Sequence, residues 1–301
     1  MQMFDYKVTQ KRSFLGNVYY LLIRLSRMKN KLAKDSFSRL HSYEDVKTPA
    51  KKSFVKEVIG DTTAYWINKE KSENGILVFL PGGGFVIGPS KLHWVYCEKM
   101  SKELDMAVLV IRYGLAPEHA FPDSLNGIVN VITTLQNRGD LKQNWFLAGD
   151  SAGGNLALTT CYKLYELKAV LPKKLMLIYP SVDMNSDNTG PKEQEIIRKD
   201  VVLSLDFTKR ILAAYAGNQD INQPLLSPVN GPVEILPPVL LQHGNNDILI
   251  RGTQKLVQRM QAAGKSIQYE EYEGMFHGFL MIPNLPETKL AIRSQLQFLR
   301  K

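Results

Sequence analysis

The chain has 301 residues, 44% of them apolar and 22% charged, the make-up of a globular protein with room for one large α/β domain or two small ones. Two cysteines, Cys97 and Cys161, exclude a disulfide framework and a cysteine-based zinc cluster; both fall among apolar neighbours in helix-like segments and read as buried free thiols, which suits a reducing cytoplasm. The formal net charge of +9 reads as a solvated basic face, with no nucleic-acid partner expected.

Much of that charge lies in the first 34 residues, where Lys7, Lys11, Arg12, Arg24, Arg27, Lys29, Lys31 and Lys34 face a single acid, Asp5. The apolar patch at 14–23 is broken by Gly16 and Asn17, is followed directly by Arg24 and Arg27, and precedes no small-x-small cleavage site, so a signal peptide is not expected. No run reaches the roughly 18 apolar residues of a membrane span. Leu15, Val18, Leu22 and Leu25 recur at steps of three and four, which predicts an amphipathic helix. We expect residues 1–48 to form a basic helical cap segment and 49–301 a catalytic domain. A membrane-surface role for the basic helix is the alternative to packing over a site.

Weak alternation at 54–59 and 62–68 predicts antiparallel strands with one wet side. From Gly75 the runs become continuously apolar, at 76–80, 107–111, 175–178 and 239–241, as in strands covered by helices on both faces. Helix-length segments at 90–104, 123–138, 154–168, 251–263 and 286–300 separate them. The alternation implies a doubly wound, mostly parallel α/β sheet, whose ligands bind beyond the carboxyl ends of the strands. Residues 183–229 interrupt the rhythm with a breaker-rich start (Asn185, Asn188, Gly190, Pro191), a helix over 201–215 and a Pro-Leu-Leu-Ser-Pro run from Pro224. This stretch is too long for an ordinary loop and reads as a cap insertion. Val201, Leu205, Phe207 and Tyr215 in it would line an acyl pocket or serve only helix packing.

The chemistry gathers at the strand ends. Gly149-Asp150-Ser151-Ala152-Gly153-Gly154 joins a strand to a helix and holds a serine between close-packed backbones, with the helix N-terminus behind it. Such a pattern arises by chance in about one chain in ten of this length, so its context decides. A serine nucleophile needs a histidine base oriented by an acid. Of five histidines, His41 lies in the connector after the basic helix, His93 in a helix, His119 in a proline-flanked loop and His243 at the close of a strand. His277 follows the strand 268–272 and is flanked by Gly278, which makes it the best base. Asp247 is the carboxylate just beyond the strand 239–243; it would serve as the orienting acid or as a cap for the helix near Arg251. Gly82, Gly83 and Gly84 follow the strand 76–80 and can present N–H groups to a developing oxyanion, with the N–H of Ala152 as a further donor. Neither a phosphate-loop nor a dinucleotide pattern fits there, since the Gly-Lys-Ser/Thr ending is missing and 85–89 looks extended.

Four motifs in order, at 81–85, 115–122 (Leu-Ala-Pro-Glu-His-Ala-Phe-Pro), 149–156, and Asp247 with 273–279, resemble those of the hormone-sensitive-lipase-like carboxylesterases of the α/β-hydrolase superfamily, from about residue 50 to the end. The resemblance implies an α/β-hydrolase fold with a helical cap, Ser151 as nucleophile, Asp247 as acid, His277 as base, and oxyanion donors at Gly83, Gly84 and Ala152. It implies no cofactor or metal and a small-molecule ester substrate. Pro81 stands where the family usually has a histidine that braces the glycine loop, and Arg112-Tyr113-Gly114 stands where it has Asp-Tyr-Arg. The function expected is hydrolysis of short-chain acyl esters through an acyl-enzyme, in the cytoplasm. An amidase or deacetylase on the same triad, and a non-catalytic ligand-binding member of the fold, are the alternatives.

Overall fold

A computed structural model describes residues 4–8, 11–51, 53–185 and 190–301. The elements begin with β1 (Phe4–Val8), α1 (Phe14–Leu25), α2 (Met28–Lys34), α3 (Phe37–His41), β2 (Phe54–Ile59), β3 (Thr62–Ile67), β4 (Ile76–Leu80), α4 (Lys91–Leu104), β5 (Ala107–Arg112) and α5 (Asp123–Asn137). They continue with β6 (Trp145–Asp150), α6 (Ala152–Glu166), β7 (Leu175–Ile178), α7 (Pro191–Lys199), α8 (Leu205–Ala216), β8 (Val239–Asn246), α9 (Ile250–Ala262), β9 (Ile267–Phe276) and α10 (Pro286–Arg300). One sheet of nine strands runs in the order β1-β9-β8-β7-β6-β4-β5-β3-β2. Among the described residues, only the β2–β3 and β3–β5 pairings are antiparallel. This is the mostly parallel α/β sheet expected from the apolar runs, and its form agrees with the α/β-hydrolase fold that the resemblance implied.

Alternate residues of the central strands feed two cores. Val78, Leu80, Leu109, Leu147 and Leu177 face one side, under α5, α6 and α9. Leu77, Phe79, Val110, Phe146 and Met176 face the other, under α4 and α10. Cys161 is buried in the first core and Cys97 in the second, both as free thiols. Burial pushes both thiols well above their ordinary pKa, so neither is a poised nucleophile.

The register positions the site. Leu80 pairs with Gly149, so β4 and β6 end level, with the glycine loop beside the Ser151 turn. Asn246 pairs with Phe276, so β8 and β9 also end level, and the next residue on each chain is Asp247 or His277.

Four expectations change. The stretch 1–48 is not purely helical: residues 4–8 form an edge strand that pairs in parallel with β9. Five residues of mixed polarity carry too little pattern to be told from a loop until the edge of β9 is there to pair with. On α1 the buried side is Gly16 with the half-buried Leu15, Tyr19, Tyr20 and Ile23, whereas Leu22 and Leu25 point outward. The stretch 85–89, expected to be extended, begins instead in a turn, because the N–H groups of Val86 and Ile87 both return to the Gly83 carbonyl. The insertion carries two helices, α7 and α8; residues 186–189, and Asn188 with them, lie outside the described residues. Asn155 of α6 ties both ends of the insertion down by donating to the carbonyls of Ser181 and Leu226.

Candidate active site

Ser151 sits between β6 and α6 with φ 52° and ψ −118°, a backbone conformation a non-glycine residue holds only when its surroundings impose it. The surroundings here are backbone. A Cβ on Gly153 would run into the Leu80 carbonyl, so only glycine lets α6 start this close to β4. The Ser151 N–H is anchored to the Ile178 carbonyl at 2.9 Å, and its own carbonyl accepts from Ser181 at 3.0 Å.

His277 lies just past β9, with Nε2 2.9 Å from Ser151 Oγ and Nδ1 2.7 Å from Asp247 Oδ2. An ionised carboxylate only accepts, so Nδ1 carries the ring proton and Nε2 is free to accept from the Ser151 hydroxyl. Asp247 is not the cap of α9: Leu249 takes the N-cap position, and no side chain among the described residues caps that helix. Asp247 Oδ1 accepts the Leu249 N–H at 2.9 Å, at the start of α9, while Oδ2 holds His277. Burial alone would push the Asp247 carboxyl up, yet His277 and His243 hold it well below the usual carboxylate range. Burial also pushes the His277 imidazole down, but the charge and hydrogen bond of Asp247, with Asp200 and Asp150 behind them, leave it above its ordinary value of 6.5.

The remaining histidines separate clearly. His41 Nε2 is 3.1 Å from the Ala116 carbonyl, and His119 lines a polar cleft of about 720 Å³ that contains neither Ser151 nor His277. His243, fully buried, places Nε2 3.0 Å from Asp247 Oδ2 and Nδ1 2.8 Å from Thr253 Oγ1. Its position four residues before Asp247 was visible in the sequence, but the fold of the strand end was needed to turn it onto the carboxylate.

Gly83 has φ +136° and Gly84 φ +60°, and the N–H groups of Gly83, Gly84 and Ala152 take no partner among the described residues. Other groups than a histidine brace this loop. The Gly82 N–H donates to Asp150 Oδ1 at 2.7 Å, and the Tyr113 hydroxyl to the Pro81 carbonyl at 2.6 Å. His93 accepts the Ser90 N–H at Nδ1, which leaves Nε2–H facing Asp150 Oδ2 at 3.4 Å. Arg112, one residue before Tyr113, forks onto both carboxylate oxygens of Glu44 and fastens the N-terminal connector beside the loop.

Asp200, at the end of α7, is a site residue that sequence reasoning missed. Its Oδ1 accepts the N–H groups of Val202 and Leu203, and its Oδ2 reaches across to the Ile248 N–H at 3.0 Å, next to Asp247. Burial and the charge of Asp247 push Asp200 up to about 6. Lys29 of α2 closes the same corner by donating to the carbonyls of Ile197 and Asp200.

A pocket of about 240 Å³ opens over Ser151, with Phe207, Ile211, Leu212, Leu203, Leu249 and Met281 among its walls and Leu32 of α2 at one side. Of the four insertion residues singled out in the sequence, only Phe207 lines it. Tyr215 stacks on Phe85 with ring centroids 3.8 Å apart, Val201 packs in the core under α4 and α10, and Leu205 packs against the opposite core. Helix α8 presents the pocket with Phe207, Ile211 and Leu212, a stripe at steps of four and one.

Residues 77–281 match the family described as having the alpha/beta hydrolase fold. The chain belongs to the α/β-hydrolase family, in its hormone-sensitive-lipase-like branch. It is 29% identical over 243 residues to an acetyl-hydrolase of Streptomyces hygroscopicus, which covers 80% of this chain and 81% of that one. It is 30% identical over 220 residues to the putative acetyl-hydrolase LipR of Mycobacterium tuberculosis, covering 73% and 70%. The solved structure of an esterase from the bacterial hormone-sensitive lipase family superposes with a TM-score of 0.80 at 26% identity, over 97% of this chain and 99% of that one. As a member of that branch this α/β hydrolase is an enzyme of the esterase and lipase type. No helix among its described residues is long and apolar enough to cross a membrane.

Proposed function

We propose that this α/β hydrolase cleaves short-chain acyl esters through an acyl-enzyme on Ser151. The observation that carries the reading is the contact of Ser151 Oγ with His277 Nε2 at 2.9 Å, in line with His277 Nδ1 and Asp247 at 2.7 Å. In the first half-reaction Ser151 Oγ bonds to the ester carbonyl carbon as its proton passes to Nε2. The carbonyl oxygen takes up negative charge, which the N–H groups of Gly83, Gly84 and Ala152 would hold. The C–O bond to the alcohol then breaks, and the alcohol leaves with the proton from Nε2. In the second, water gives its proton to Nε2, attacks the acyl carbon, and Ser151 leaves with that proton as the acid is released. Asp247 keeps the imidazole in the required tautomer and stabilises its charged form without taking the proton.

The size of the pocket supports a short acyl group. Its roughly 240 Å³ falls below the ~300–1,000 Å³ of pockets that enclose drug-sized ligands. A second reading, an amidase or deacetylase on the same three residues, is kept because the two acetyl-hydrolases that the chain resembles are named for the acyl group and not for the bond it is removed from. A series of 4-nitrophenyl esters from acetate to dodecanoate, with an acetanilide alongside, tests both. The proposal expects a maximum in kcat/KM at the short end and little anilide turnover. A maximum at long chains would contradict the short-chain assignment, and no turnover of any ester would leave the chain as a ligand-binding member of the fold.

A further inference from the structure

We propose that the outer face of α1 docks the protein on an anionic lipid surface. The helix is apolar on both sides. Its inner side is held on the body: Ser13 caps it by accepting the Gly16 N–H, Glu287 of α10 accepts from the Ser13 N–H, and the Tyr20 hydroxyl donates to the Lys199 carbonyl. The outer side carries Phe14, 85% exposed, with Leu21, Leu22 and Leu25 each more than half exposed and Met28 just beyond the helix. Positions 14, 21 and 25 fall on one stripe of a 3.6-residue helix, with 22 beside it, so these side chains form a contiguous patch rather than scattered apolar residues. Fixed by its other face, the helix presents this stripe ready-made and without an ordering cost.

Charge selects the occupant. Lys11 before the helix, Arg24 on it and Arg27 just beyond it are exposed, as are Lys31 and Lys34 on α2, and residues 11–34 contain no acid. A second copy of the chain docked by a two-fold would set this basic cluster against itself. A bilayer with anionic headgroups satisfies both features, taking the apolar side chains to the level of the acyl boundary and the basic ones at the headgroups. The next helix, α2, supplies Leu32 to the wall of the Ser151 pocket, so the docked face lies one helix away from the pocket. The inference rests on the surface alone and stands whether or not Ser151 is the nucleophile.

The test is co-sedimentation of the full chain with phosphatidylcholine vesicles with and without phosphatidylglycerol, at low and high salt. The wild type is expected to pellet with the anionic vesicles at low salt and to release at high salt. Leu21→Ser with Leu25→Ser should weaken that binding about tenfold or more, and Arg24→Gln with Arg27→Gln should weaken it and flatten its salt dependence. Since Leu21 and Leu25 touch neither pocket nor core, turnover of a soluble ester by the first double variant should equal that of the wild type and reports that it is folded; Phe14→Ser supplies an independent check. Three results would overturn the proposal: no vesicle binding by the wild type, binding unchanged by the leucine substitutions, or a wild-type dimer that those substitutions convert to a monomer.

Discussion

The two halves of the site are held by different means. On the Ser151 side, between β4 and β6, most of the holding is backbone against backbone: Gly153 under the Leu80 carbonyl, Ser151 N–H on Ile178, Val86 and Ile87 on Gly83, with the Asp150 and Tyr113 side chains bracing only the start of the glycine loop. On the acid–base side, beyond β8 and β9, side chains do the holding. Asp247 is approached by His277, His243 and the Asp200 corner, and Arg12 donates to the Gly274 carbonyl three residues before His277. The first half tolerates almost no change and sets where the serine is. The second can be tuned one group at a time and sets when the histidine accepts a proton.

Substitutions can break that contrast. Gly153→Ala should have the largest effect, because the added methyl meets a main-chain oxygen that no rotamer change can move. A destabilisation above about 4 kcal/mol in urea unfolding, with loss of ester turnover, is expected. A mild effect would mean that the two strands part more easily than the backbone argument allows. Asp247→Asn should fold but lower kcat by about 10⁴-fold, since the amide no longer imposes the Nδ1–H tautomer. Next comes Asp150→Ala, which leaves the buried Gly82 N–H without its acceptor and loosens the glycine loop. A fall in kcat of about 10²-fold with KM little changed is expected, partly restored in Asp150→Asn because the amide oxygen still accepts. Asp200→Asn should be the mildest. Because a neutral His277 is needed, kcat/KM should fall as pH drops through a pKa above 6.5 in the wild type. Removing the Asp200 charge withdraws one of the influences that raise that pKa, so the acid limb should move to lower pH. A shift to higher pH would contradict the electrostatic role given to Asp200.

The same contrast governs what the sequence made legible. Ser151, Gly83, Gly84, Asp247 and His277 stand at the ends of buried-type strands, each in a short turn with its own signature, and the parallel sheet brings such ends together on one side. Asp150 lies inside the serine motif, yet its partner is Gly82, 68 residues earlier. Asp200 sits in an insertion whose pattern predicts one helix and nothing about which carboxylate turns inward; the Ile248 N–H that it meets is 48 residues away. The strand at 4–8 needs the edge of β9 to exist. Motifs that are local in the chain could be read, and groups whose role comes from a partner across the fold could not. Pro81 illustrates the difference: the missing histidine was plain in the sequence, while Tyr113 and Asp150, which brace the loop instead, became visible only with the strands in register.

The central claim is that Ser151 forms the acyl-enzyme. The direct measurement is the mass of the intact protein, and of its peptide containing Ser151, after an organophosphate or a rapidly quenched short-chain ester. One adduct per chain on Ser151, absent in Ser151→Ala and strongly slowed in Asp247→Asn, is the predicted result. An unlabelled Ser151 in a chain that still turns over the ester, or undiminished turnover by Ser151→Ala, would contradict it.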